Sequence, residues 1–130
     1  MTSGELEDIL HKEGWPLERL DETTWRSAFD SLDGPQRFFV RLTETWIFFT
    51  VAPYVPPARS VARRLRLFQR CLELNREMNL AKLALDADGD MVLTVELPTQ
   101  HLEPEEIENA LSALSYYAER HQAELRGLMG

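Results

Sequence analysis

The sequence predicts an α+β fold: an antiparallel five-stranded sheet flanked by helices, in the order α-β-β-β-α-β-β-α. Three features carry this reading. Two turn signals, Asp33-Gly34 and Asp86-Ala87-Asp88-Gly89-Asp90, each join segments in which apolar and polar residues alternate. Three other segments place apolar residues at helical spacing behind a capping residue. The strands are joined as hairpins rather than through crossover helices, so the sheet is antiparallel. With 130 residues, 44% apolar and 28% charged, the chain has the length and composition for one core, and residues 1–130 read as a single domain.

The elements follow in order. Thr2 and Glu5 have capping-box spacing, Leu6, Ile9 and Leu10 form a short stripe, and Gly14 supplies a stop, giving a helix over 3–13. Trp25, Ser27 and Phe29 alternate with Arg26, Ala28 and Asp30 up to the Asp33-Gly34 turn. Phe38, Val40 and Leu42 then alternate with Arg37, Phe39 and Arg41, and Trp46–Val51 makes a third strand. Pro53, Pro56 and Pro57 interrupt the pattern, and Ser60 caps a helix over about 61–78. A second hairpin pairs Ala81–Asp86 with Met91–Leu97 and stops at Pro98. Glu103-Pro104-Glu105-Glu106 opens the last helix, with Ile107, Leu111, Leu114, Ala118 and Leu125 on one stripe.

The net charge of −8 weighs against general binding to nucleic acid or anionic membranes, and its distribution is uneven. Residues 1–33 hold 3 basic and 9 acidic groups, residues 34–70 hold 7 and 1, and residues 71–130 hold 4 and 12. No window reaches the ~20 apolar residues that span a bilayer. A single cysteine, Cys71, and the lack of a visible secretory signal make cytoplasmic residence the expectation.

Catalytic and metal chemistry find little support. Measured from Asp86, the Asp-rich turn has glycine at position four, Met91 at six and Leu97 at twelve. A calcium-binding EF-hand loop needs glycine at six and glutamate at twelve. Asp and Gly are also what a tight turn demands. His11, His101 and His121 have neither zinc spacing nor a cysteine partner, and His121 at the edge of the last helix's stripe reads as a partly buried core histidine. Cys71 falls in an apolar arc, where a thiol acts as a small hydrophobe. With no phosphate loop and no Gly-x-Ser-x-Gly elbow, the chain is read as non-enzymatic, without cofactor or metal.

The middle helix is the informative element. Val61, Leu65, Phe68 and Leu72 form one apolar row, and Leu67, Cys71, Leu74 and Met78 form a second about 120° round. Arg64 and Asn75 lie between them. A helix lying on a sheet needs one row, so the second either meets a partner or is covered by the first or last helix. Arg59, Arg63, Arg66 and Arg70 make a polar ridge. It either neutralises the protein's own acids or engages an acidic partner or nucleic acid, although it lacks interleaved aromatics for base stacking.

Leu72-Glu73-Leu74-Asn75, Lys82-Leu83-Ala84-Leu85-Asp86 with Gly89, Val92 to Pro98, and the helix opening at Leu102-Glu103-Pro104-Glu105 together resemble the YbjN family of bacterial sensory transduction regulators. The resemblance covers residues 60–127 by motif and the first 55 by element order. That family is in turn similar in fold to the class I type III secretion chaperones. The resemblance implies an antiparallel sheet with helices, frequent homodimers, no catalytic residues, and binding of an extended client segment on apolar patches and strand edges. By the same resemblance, the contacts with a protein client or a second subunit would be Phe39, Trp46 and Phe48 with the row Leu67, Cys71, Leu74 and Met78. A nucleic-acid accessory role for the arginine ridge is the alternative.

Overall fold

The computed structural model describes residues 1–129. It runs α1 (Ser3–Lys12), β1 (Glu18–Asp21), β2 (Thr24–Ser31), β3 (Gly34–Leu42), β4 (Trp46–Val55), α2 (Val61–Glu77), β5 (Ala81–Leu85), β6 (Met91–Pro98) and α3 (Pro104–Gly127). The strands form one antiparallel sheet ordered β1-β2-β3-β4-β6-β5. The α+β class and antiparallel pairing are as expected, but the sheet has six strands where the sequence predicts five. All four residues of the extra strand, β1, are exposed, so Glu18-Arg19-Leu20-Asp21 has no alternation to read. Its pairing with β2 (Glu18 with Arg26, Arg19 with Trp25) defines it, and the Arg19 guanidinium ties down the Asp21 and Glu22 carbonyls. Strand β4 also runs past its expected end at Val51. Its ladder with β6 is interrupted between Val51 and Val55, and Pro53, which has no N–H to give, sits in that gap.

The register sorts side chains onto two unlike faces. Trp25, Phe38, Val40, Ile47, Phe49, Val51, Leu93 and Val95 point to one face and are buried there. That face carries the helices. Leu6 and Leu10 of α1 join the same core, and the Trp25 indole N–H donates to the Glu7 carboxylate at 2.7 Å. Helix α3 lies over β4 and β6, with Ile107, Leu111, Leu114, Ala118 and Leu125 all buried. Tyr54 on β4 donates to the Ala118 carbonyl at 2.6 Å, and burial pushes the ionisation of this hydroxyl above the ordinary tyrosine range, so it stays a donor. Gln122 donates to the Tyr54 carbonyl at 3.1 Å. These bonds satisfy polar groups that would otherwise be stranded in the core.

Helix α2 is capped by Ser60, whose hydroxyl accepts from the Arg63 amide, and it packs beside the edge strand β5. Asn75 fixes that contact. Its side-chain amide donates to the Leu83 carbonyl at 3.0 Å and accepts from the Leu83 N–H at 2.7 Å, taking the place a neighbouring strand would fill. The hairpin beyond β5 is a tight turn: one Asp86 carboxylate oxygen accepts from both the Asp88 and Asp90 amides, and Gly89 has φ +83°. Replacing Asn75 with Ala leaves the Leu83 N–H and C=O without these partners and should destabilise the fold by about 1–3 kcal/mol in urea denaturation.

On α3, His121 is buried and its ring is stacked 6.0 Å from that of Tyr117. Burial and the neighbouring Arg120 and Arg70 hold its pKa below 6.5, against the opposing pull of Glu124 and Glu77. The unfolded chain therefore takes up this proton at higher pH than the folded chain. Stability contributed by His121 is complete above pH 6.5 and falls as pH drops from 6.5 toward the folded pKa. Chemical denaturation at pH 7.5 and 5.5 should show a loss that His121→Gln reduces.

Candidate functional site

Two apolar surfaces stay uncovered among the described residues. The first lies on α2. Val61, Leu65 and Leu72 are 68%, 63% and 71% exposed, and Phe68 between them is half-buried. The sequence assigns the other row to a partner, and here the structure corrects it. Leu67, Cys71, Leu74 and Met78 are buried in the core, so the free row is the one expected to dock. The reason is that only one of the rows has, on both sides, polar groups bonded to the rest of the fold. Asn75 on one side holds β5, and Arg70 on the other pairs with Glu124 of α3 at 2.5 Å and with Glu73 at 3.5 Å. The Leu67 row lies between these anchors and must face inward. Asn75 and Arg70 were the legible signal, but their partners are eight and 54 residues away.

The same geometry disposes of Cys71 and half of the arginine ridge as sites. Burial, with Glu124 nearby, pushes the Cys71 thiol up to about 11, so it is not a thiolate at neutral pH. Arg70 is spent on Glu124, and Arg63 donates to the Met129 carbonyl at 2.9 Å. Arg59 and Arg66 are exposed and make no ion pair among the described residues. Two of the four ridge arginines thus tie α2 to the C-terminal segment, Arg70 to α3 and Arg63 to Met129 beyond it. Beside the exposed row, a hollow of about 430 Å³ lies between Pro56-Pro57, Arg64 and Phe68 of α2, and Leu85 and Gly89 of the hairpin. An adjoining one of about 240 Å³ shares Phe68 and Leu85. Sequence reasoning missed this groove because the proline loop and the hairpin that wall it are distant in the chain.

The second surface is the part of the outer face of the sheet formed by β2, β3 and the start of β4, while Val92 and Thr94 further along that face are buried. Phe39, Trp46 and Phe48 all point to it, as do Arg26, Arg37 and Arg41. Trp46, opposite Pro98, is 43% exposed. Phe39 and Phe48, with Thr24, Arg41 and Thr50, line a shallow hollow of about 340 Å³. Three of the residues expected to touch a client thus sit on one face, while the other four lie in the core. Among the described residues no three His, Cys, Asp or Glu side chains come together in a way that could hold a metal ion. No helix among them is long and apolar enough to cross a membrane.

The molecule is similar to several solved structures. YbjN from E. coli matches with a TM-score of 0.65 at 15% identity, over 93% of this chain and 91% of that one. A chain of the heterodimeric ExoU–SpcU complex from the type III secretion system of Pseudomonas aeruginosa matches at 0.60 and 20% identity, over 95% and 97%. A chain of the ExsC–ExsE complex matches at 0.58 and 17%, over 96% and 97%. At these identities the likeness shows a shared fold, and it bears out the expected similarity to the type III secretion chaperone arrangement. No curated protein sequence matches the chain. The family model described as "Putative bacterial sensory transduction regulator" spans residues 2–126, and the chain belongs to that family, YbjN.

Proposed function

We propose that this chain is a non-catalytic protein-binding module, an adaptor or regulator that holds a bacterial protein client. It would act in the cytoplasm as a homodimer of a single 1–130 domain and need no cofactor. The observation that carries the reading is the exposed α2 row, Val61, Leu65 and Leu72. Three large aliphatic side chains in line along one helix make an apolar stripe of the kind that marks a protein contact. Two of the structural neighbours come from complexes with a protein partner, ExoU–SpcU and ExsC–ExsE, which supports the same class of function.

A second copy of this chain fits the α2 stripe. The first half of the helix region carries Arg59, Arg63, Arg64 and Arg66, and the second half carries Arg70 and Arg76 beside Glu73 and Glu77. A two-fold crossing of antiparallel α2 helices would bury the leucines at the centre and bring the basic first half of each helix near Glu73 and Glu77 of the other. The client would then take surfaces outside that seam.

Sedimentation velocity should show a dimer that Leu65→Glu combined with Leu72→Glu converts to monomer. Both residues are exposed, so the double variant should keep its folding stability within about 1 kcal/mol. A wild-type monomer at high concentration would refute the dimer. The adaptor itself is tested by affinity capture from the native host. One defined protein should be retained at near-stoichiometric yield, and its absence, with no thermal stabilisation by extended peptides, would count against the reading.

A further inference from the structure

The outer face of the sheet carries enough chemistry to say what kind of segment it takes, a step that rests on the adaptor reading above. On β3, Arg37, Phe39 and Arg41 alternate onto that face. Arg41 stands opposite Thr24 on one side and Phe48 on the other, and Phe39 stands opposite Arg26 and Thr50. The result is a hollow floored by two phenyl rings, with an arginine position two residues along the strand on either side of Phe39. A strand rises about 3.3 Å per residue, so the two arginine positions are about 13 Å apart.

The other cations of this face already have partners: Arg26 binds Glu18, and Lys82 binds Glu96 at 3.1 Å. Arg37 and Arg41 have no ion-pair partner among the described residues. Of the remaining carboxylates, Asp30 lies opposite Pro35 at the far end of β2, and Asp21 lies opposite Thr24 on β1, one strand beyond Arg41, where its carboxylate accepts from the Thr23 amide. Strand edges offer little. Asn75 occupies the Leu83 backbone on β5, while β1 has only four residues, all exposed, with a bulge between Arg19 and Asp21. Recognition here must come from side chains.

We propose that this face binds an extended protein segment of the pattern acidic–x–apolar–x–acidic, laid along β3. An extended segment repeats its side chains on the same spacing as β3, so carboxylates two residues either side of an apolar residue reach Arg37 and Arg41 while the apolar group enters the hollow. A nucleic acid fits less well. It brings a phosphate with every nucleotide to a chain of net charge −8 that has two unpaired arginines at this spot. A second copy docking face to face would set arginine against arginine.

The test uses fluorescein-labelled ten-residue peptides centred on Glu-Ala-Leu-Ala-Glu and on Lys-Ala-Leu-Ala-Lys, titrated with the full chain. Binding is read by anisotropy and by amide chemical shifts. The acidic peptide should bind about tenfold or more tightly than the basic one. Shifts should be confined to β2, β3 and β4, Phe39→Ala should weaken binding, and Arg37→Glu with Arg41→Glu should reverse the charge preference. Four results would each overturn the proposal: equal or no binding of the two peptides, shifts centred on α2, displacement of the peptide by oligo-dT at lower concentration, or a dimer-to-monomer change caused by Phe39→Ala. A client captured by wild type and retained by the arginine double variant would remove this face and leave the adaptor reading standing. Failure to bind any protein or peptide would remove both.

Discussion

The rotation of α2 about its own axis is the setting on which the surface of this protein depends. Two apolar rows of equal length lie on that helix, and burying either would remove a comparable apolar area from water, worth about 1.5–3 kcal/mol for each large side chain. Burial alone therefore does not choose. The choice comes from the polar groups that flank one row, Asn75 against the β5 backbone and Arg70 against Glu124. Turning the helix to bury Val61, Leu65 and Leu72 would break both. Stranding the Leu83 amide and carbonyl would alone cost about 1–3 kcal/mol per group, enough to decide between two otherwise matched arrangements.

That setting has consequences on both sides of the molecule. With α3 over β4 and β6 and α2 beside β5, Arg37, Arg41 and Trp46 on the other face stay exposed, and Phe39 and Phe48 half-buried. Asn75 also closes the β5 edge, and the short, charged, bulged β1 blunts the opposite one. Both are familiar ways of stopping sheets from joining edge to edge. A sheet protected in this way is poorly suited to capturing a partner by adding a strand, which shifts recognition onto side-chain surfaces.

The uneven charge of the sequence takes on a physical meaning in the same terms. The arginine-rich middle third divides its work: Arg70 joins α2 to α3 and Arg63 joins it to Met129 just beyond, while Arg37 and Arg41 stand beside half-buried rings on the sheet. The groups that first suggest chemistry have structural work instead. Cys71 and His121 are buried, and Asp86 organises a turn.

Local signals in the sequence determined a great deal: the capping box at Thr2 and Glu5, the Ser60 cap, the Asp33-Gly34 and Asp86–Asp90 turns, the stripe of α3, and hence the α+β class with antiparallel pairing. These are contacts between residues a few positions apart, which periodicity and turn chemistry record directly. Alternation also placed Phe39 on the strand face opposite Phe38, whereas the apolar run Trp46–Val51 gave no face to Phe48. Strand β1 was invisible because its residues bury nothing, and the inward row of α2 was ambiguous because both rows have the same spacing. Only the tertiary structure decided those two points, since what settles them is pairing across the chain, β1 with β2, Asn75 with Leu83 and Arg70 with Glu124, and a one-dimensional pattern carries no term for a partner's position.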